Sequence, residues 1–284
     1  MKNSQNNLSV RIIAGVIALI LIMGILFVTN AFVGNPISAM MANRAIEQYV
    51  NRNYSFLDLE VENAIYNFKT SGYMARAKSK TSMDTKFAIY YSNGKVQRDD
   101  YENYVLGGFN TLQRLSDEYS YIAKEIIAQE LDFEDNRTMV TYNKDDYGNT
   151  QDIIKLDMKF DRNLPLDAEV IININLKNNS LEEVAEVLIE AHEVFLNNDC
   201  VFNKYGLYTE ENNEGRMVSV HGVTPKDIEG GKLLEQLEKA LEQDELRKKE
   251  IKEREKVENR EDVKNMEEIK DKEVVEDISV YIRE

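Results

Sequence analysis

The stretch IIAGVIALILIMGILFVTNAFV, residues 12–33, limits the fold more than any other part of the chain. From Ile12 to Val28 it carries no charged or strongly polar side chain. Thr29 and Asn30 interrupt it, and Ala31 to Val33 extend it. About 22 residues at about 1.5 Å each suffice to cross a hydrocarbon layer of roughly 30 Å. As a helix the run satisfies its own backbone N–H and C=O groups, which lipid demands. A core helix of a soluble domain would show a polar stripe, and this one shows none. A cleaved export signal has a shorter apolar core, about 7–15 residues, followed by a small-x-small site. Thr29-Asn30-Ala31 is a poor site of that kind, and no cysteine adjoins the run for lipid attachment. The reading is therefore an uncleaved single-pass anchor over residues 12–33. Lys2 and Arg11 precede it with no acid, so residues 1–11 are expected to be cytoplasmic and the chain from about residue 35 onward outside.

Charge narrows the partners. The 284 residues hold 51 acids and 35 bases, a net charge of −16. Phosphate backbones attract Lys and Arg, so a nucleic-acid partner is not expected. A single cysteine, Cys200, allows no internal disulfide and no thiolate zinc cage; it reads as a small buried hydrophobe.

The first outside element is a helix opened by Pro36 at its first position. Met40, Met41, Ala45, Ile46, Tyr49 and Val50 recur at helical spacing as its inward stripe. Strands follow in LDLEVENAIYNFKT and GYMARAKS, parted by Ser71-Gly72. TKFAIYY alternates Phe87, Ile89 and Tyr91 against Ala88 and Tyr90. Asn93-Gly94 then calls for a type I′ hairpin turn into KVQRDDY, because both central residues of that turn need positive φ. Residues 35–106 thus read as a helix plus an antiparallel meander.

Two segments, GNPISAMMANRAIEQYVNRNYSFLDLEV and TSMDTKFAIYYSNGKVQRDDYENYVLGGFNTLQRL, resemble the YfjL-like family of membrane-anchored bacterial proteins. The resemblance is fullest over residues 12–130. It implies an anchor followed by an extracytoplasmic α+β region, and it implies no catalytic residues. The long charged tail departs from the family pattern.

Gly107-Gly108 punctuates the chain before a helix to about Leu131, with Phe109, Leu112, Leu115, Tyr119, Ile122, Ile126 and Ile127 inward. IIKLDMKF, residues 153–160, alternates as a strand with Ile154, Leu156, Met158 and Phe160 on one face. EVIININL repeats the pattern with Val170, Ile172, Ile174 and Leu176, and Asp161 to Asp167 would join the two as a hairpin. Ser180-Leu181-Glu182-Glu183 has the form of a capping box, opening a helix whose stripe is Leu181, Val184, Leu188, Ala191 and Phe195. Strands at Val201–Thr209 and Arg216–Val223 come next. Thr224-Pro225 starts a last helix, broken at Gly230-Gly231, with Leu233, Leu234, Leu237, Ala240 and Leu241 inward.

No βαβ rhythm is visible, so the fold class is α+β: small antiparallel sheets with packed helices after the anchor, on a cystatin-like or PepSY-like plan by element order. Residues 108–242 form the second domain. Residues 243–284, with 15 acids and 11 bases, form a charged tail without a sustained heptad. It reads as a solvated helix fraying into disorder, the sharper alternative being a partner-binding helix that includes the apolar ISVYI.

The search for chemistry nominates no catalytic, cofactor-binding or metal-ligating residue. His192 sits on a helix stripe and His221 alternates on a strand. Neither lies in a paired HxxxH spacing, and with Cys200 they read as packed side chains. NKDDYGNTQD fails as a calcium loop, because position 12 falls on Ile154 where a bidentate Glu is needed. Asp99, Asp100 and Glu102 form a further acidic spot. Tyr66, Tyr73, Tyr90 and Tyr91 either line a peptide or glycan groove or pack beneath a helix. The expected function is a membrane-tethered, extracytoplasmic, non-enzymatic module that binds or regulates another envelope component. A cell-wall hydrolase using paired carboxylates and a structural or oligomerisation scaffold are the alternatives.

Overall fold

The structure is a computed structural model and describes residues 2–142, 153–210, 215–258 and 278–283. Helix α1 (Lys2–Val33) contains a segment, Arg11–Asn30, long and apolar enough to cross a membrane. The chain divides into two compact units, Met1–Thr111 with Lys155–Asp157, and Leu112–Ile154 with Met158–Glu284.

In the first unit α1 ends at a built corner. Gly34 has φ +75, and a β-carbon there would lie 2.7–2.8 Å from atoms of Tyr66 and Tyr73, so only glycine fits without strain. Asn35 caps helix α2 (Pro36–Asn53): its Oδ1 accepts from the Ile37 and Ser38 amides at 2.9 and 3.1 Å, with Pro36 at the first helical position. The buried stripe of α2 is Ala42, Ile46 and Val50. Met40 and Met41 are exposed, contrary to the expected inward stripe. At about 100° per residue they stand about 200° and 100° away from Ala42 around the axis.

Beneath α2 lies an antiparallel sheet of β1 (Leu59–Val61), β2 (Ile65–Asn67), β3 (Gly72–Ser79), β4 (Lys86–Ser92) and β5 (Lys95–Asp99), ordered β1-β3-β4-β5 with β2 also on β3. Tyr73, Ala75, Ala77, Phe87, Ile89 and Tyr91 form its buried inner face. Asn93 and Gly94 both take positive φ, 52 and 81, as the hairpin turn requires. A π-helical turn, Glu102–Leu106, leads to helix α3 (Phe109–Glu130).

The second unit is built on a mixed sheet. Its strands are β6 (Met139–Tyr142), β7 (Ala168–Asn173), β8 (Lys204–Glu210), β9 (Met217–Val223) and β10 (Ser279–Arg283), in the order β10-β9-β8-β7-β6. Helices α4 (Leu181–Asn197), α5 (Pro225–Glu229) and α6 (Leu233–Glu258) complete it. The stripe Leu181, Val184, Leu188, Ala191 and Phe195 is buried as expected, and α3 adds Leu112, Leu115, Tyr119, Ile126 and Ile127 to the same core.

Four details correct the sequence reading. β7 and β8 pair in parallel, so α4 is a crossover helix, and a βαβ unit exists inside the α+β plan. No strand forms at 153–160, and β7 pairs instead with β6. Asp157 has φ 57, which breaks the alternation, and it exchanges backbone-to-carboxylate bonds with Asp84: Asp84 N to Asp157 Oδ1 at 2.9 Å, Asp157 N to Asp84 Oδ2 at 3.1 Å. The capping box at Ser180 closes on one side only. Ser180 Oγ accepts from Glu183 N at 3.2 Å, while the Glu183 carboxylate takes the Lys177 and Asn178 amides. The reciprocal box is at Thr224 and Asp227, opening α5. Finally, ISVYI does not continue a helix. Its last four residues begin β10, which seats buried Val280 against β9 and whose Val280 amide donates to Asp244 Oδ2 at 3.2 Å.

Candidate functional site

A strand presents alternate side chains to opposite faces, so each inward residue of β3 and β4 fixes an outward neighbour. With Ala75, Ala77, Phe87 and Ile89 turned to α2, the outer face receives Met74, Arg76 and Lys78 from β3 and Lys86, Ala88 and Tyr90 from β4. These residues, with Glu62, Asp100, Tyr104 and Asn110, line a trough of about 490 Å³.

The electrostatics of that trough are unusual for so acidic a chain. Lys78 and Lys86 stand directly opposite one another, and Arg76 faces Ala88. Like charges in register across two strands destabilise a sheet. Glu60 opposes Lys78 from β1. Even so, the ion pairs among the described residues, such as Lys80–Asp58 and Arg98–Asp100, include none to Arg76, Lys78 or Lys86 within 4.0 Å. The three cations are exposed. One end of the trough is rigid: Tyr90 donates to Asp100 Oδ2 at 2.9 Å, Arg98 donates to Asp100 Oδ1 at 2.6 Å, and the Arg98 guanidinium lies 3.9 Å from the centre of the Tyr90 ring. Burial, then the bond to Asp100, pushes the Tyr90 hydroxyl above its ordinary value. Asn110 braces the floor, donating to the Asp84 and Lys86 carbonyls at 2.9 and 2.6 Å. Chemically the trough offers three cations beside Glu62 and a narrow apolar floor, the Tyr90 hydroxyl already donating to Asp100, a set suited to an anionic ligand with some apolar surface.

The structure disperses the other candidates. Asp99 lies on the far side of β5 from Asp100 and is occupied by tyrosines: Tyr49 and Tyr54 donate to its Oδ2 at 2.6 and 2.8 Å, and the Tyr101 amide donates to Oδ1 at 3.0 Å. Burial, then the Asp99 bond, pushes Tyr49 up to about 12 and Tyr54 higher still. Glu102 opens the π-helical turn. Of the four tyrosines nominated for a groove, Tyr73 and Tyr91 are core residues, Tyr66 packs at the Gly34 corner, and Tyr90 alone lines the trough.

In the second unit His192 is buried in the core, its Nδ1 2.8 Å from the Tyr205 hydroxyl and its Nε2 3.4 Å from Glu229 Oε1. His221 is exposed on β9 and bonds Ser219 Oγ at 2.8 Å. Cys200 is fully buried, and that burial pushes its thiol up, away from the reactive thiolate. The three share no ligand set, and among the described residues no group of three or more His, Cys, Asp or Glu side chains is placed to hold a metal. NKDDYGNTQD falls at 143–152, outside the described residues. Sequence reasoning missed the cationic row. ARAKS carries two of its members in plain alternation, but Lys86 joins them only once the β3–β4 register is known.

Comparison with known proteins places the chain without assigning it an activity. No curated protein and no solved structure matches it. Family models do: one described as YfjL-like, N-terminal domain covers residues 9–100, and one described as YfjL-like C-terminal domain covers residues 118–238. The first takes in the apolar helix, α2 and the whole antiparallel sheet, and the second most of the mixed-sheet unit. The chain therefore belongs to the YfjL-like family.

Proposed function

We propose that this chain is a membrane-tethered, extracytoplasmic binding module, not an enzyme, and that the outer face of its first sheet takes up an anionic component of the envelope. Arg11–Asn30 has the length and composition of a spanning helix, and Lys2 and Arg11 keep its leading end in the cytoplasm. The observation that carries the binding reading is the row Arg76, Lys78 and Lys86. Among the described residues its members make no ion pair within 4.0 Å, although Glu60 stands opposite Lys78 and Glu62 lines the same trough, and it tolerates an opposed Lys–Lys pair in a protein of net charge −16. Departures from the rules of stable folding concentrate at functional sites. A unit charge about 4 Å from an anionic group is worth about 1 kcal/mol in water and about 4 kcal/mol at an effective dielectric of about 20. A multivalent anion contacting all three cations thus binds usefully and loses affinity as salt rises.

The full-length protein in detergent is titrated with inorganic polyphosphate at low and high salt, with uncharged dextran as control. Salt-sensitive binding of polyphosphate alone is expected. The Lys78→Glu/Lys86→Glu double variant weakens it about tenfold or more, equivalent to about 1.4 kcal/mol. Unchanged affinity in a folded double variant overturns the reading.

A further inference from the structure

We infer that the first unit rests on the outer membrane–water interface through an apolar collar, made by the first two turns of α2 and the β2–β3 turn, whose partner is interfacial lipid. The inference builds on the anchor reading and adds a second, independent contact with the bilayer.

The collar adjoins the end of α1. The Phe32 ring lies 5.9 Å from that of Phe68 in the β2–β3 turn, and Gly34 sits against Tyr66 and Tyr73. The Asn35 amide donates to the Tyr73 hydroxyl, which in turn donates to the Asn35 carbonyl, both at 3.0 Å, so the chain emerging from α1 is pinned to the start of β3. Close to this junction in the chain, Ile37, Met40 and Met41 of α2 and Phe68 of the β2–β3 turn are each between 52% and 66% exposed, and Ile65, paired with Met74 on the sheet face away from α2, is 66% exposed. Single exposed apolar residues need no explanation, but several at the mouth of a membrane-length helix, on both sides of the sheet end it joins, do.

The polarity of α2 changes along its length. Its solvent side is Ile37, Met40 and Met41 in the first two turns, then Arg44, Glu47, Gln48, Asn51 and Arg52. That step is what an interface a few ångströms deep imposes, with apolar groups below and charged groups above. Lys69 follows Phe68, and Lys95 stands at the same end of the sheet because Ser92 and Lys95 close the β4–β5 turn there. Both are placed to meet lipid phosphates. The opposite end of the sheet, at Met83 in the β3–β4 loop, points away from the junction along β3.

The chain contains no tryptophan, so one introduced residue reports alone. Full-length Phe68→Trp and Met41→Trp proteins are reconstituted into phosphatidylcholine–phosphatidylglycerol vesicles carrying acyl chains brominated near the headgroup, and the Ile20→Trp protein into vesicles brominated near the chain terminus. Ile20→Trp reports on the anchor and Met83→Trp on the far end of the sheet. The collar predicts about twofold or stronger quenching at positions 68 and 41, as for side chains roughly 5–10 Å into the boundary, and none at position 83. Quenching at position 20 with none at 68 and 41 overturns the collar while leaving the anchor. Blue-shifted but unquenched emission from the Phe68→Trp protein also overturns it, since protein and not lipid then covers the patch. No quenching at 20, 68 or 41 overturns both readings.

Discussion

Among the described residues the first unit hides ten in its core and the second thirty-three. The larger core is mainly aliphatic, with strands and helices contributing in layers. The smaller core is rich in aromatics, Tyr73, Phe87 and Tyr91 inside, with Tyr49, Tyr54 and Tyr101 packed at its rim. Large rings bury much area per residue, and their hydroxyls find partners at the edge, as at Asp99 and Asn35. A short chain segment thereby folds while leaving one face of its sheet open. The second unit is held by its own bulk; the first depends on a few tyrosines and on the junction with α1.

This contrast predicts unequal consequences for the same substitution. Ile46→Ala and Leu188→Ala both empty a site with no solvent exposure, and each should cost about 2–5 kcal/mol. In calorimetry of the full-length protein in detergent, Ile46→Ala should abolish the transition of the first unit. Leu188→Ala should lower that of the second by several degrees and leave it visible. Equal shifts would mean the two units do not melt separately. A smaller effect, about 1–3 kcal/mol, is expected from Gly34→Ala, which meets both an unfavourable φ and two ring contacts. It should lower only the first transition.

The subtlest difference is in alkaline stability. The Tyr49 hydroxyl is raised from 10.0 to about 12 by burial first and then by Asp99. The folded state thus keeps a proton that the unfolded chain sheds, and the stability this confers is complete below pH 10.0 and drains away as pH climbs toward about 12. Tyr142 in the second unit is likewise raised to about 12, by burial first and then by Asp161 and Glu118. Tyr49→Phe should therefore flatten the alkaline decline of the first melting transition and leave that of the second untouched.

Periodic signals were legible in the sequence, and long-range ones were not. The α4 stripe and the Asn93-Gly94 turn are local, set by helical spacing and by φ at two adjacent residues. The failure at 153–160 has a distant cause: Asp84, 73 positions earlier, holds Asp157 in a conformation that ends the alternation. The parallel β7–β8 pair and the seating of β10 on β9 are also matters of which strand finds which edge, and alternation within a strand says nothing of its neighbour. Met40 and Met41 show the limit of hydrophobicity as a guide. They fit a core stripe by composition, and Ala42 takes the inward place instead. The cationic row was half visible, in Arg76 and Lys78, and completed only by register.

Whether the module is tethered and lies outside the membrane can be read in intact cells. In a Cys200→Ala background, Met83→Cys places one exposed thiol at the far end of the first sheet. A membrane-impermeant maleimide is expected to label it before lysis, on a protein that sediments with the membrane at full length. Labelling only after lysis, or recovery of the labelled chain as a soluble fragment lacking residues 1–33, would contradict that placement.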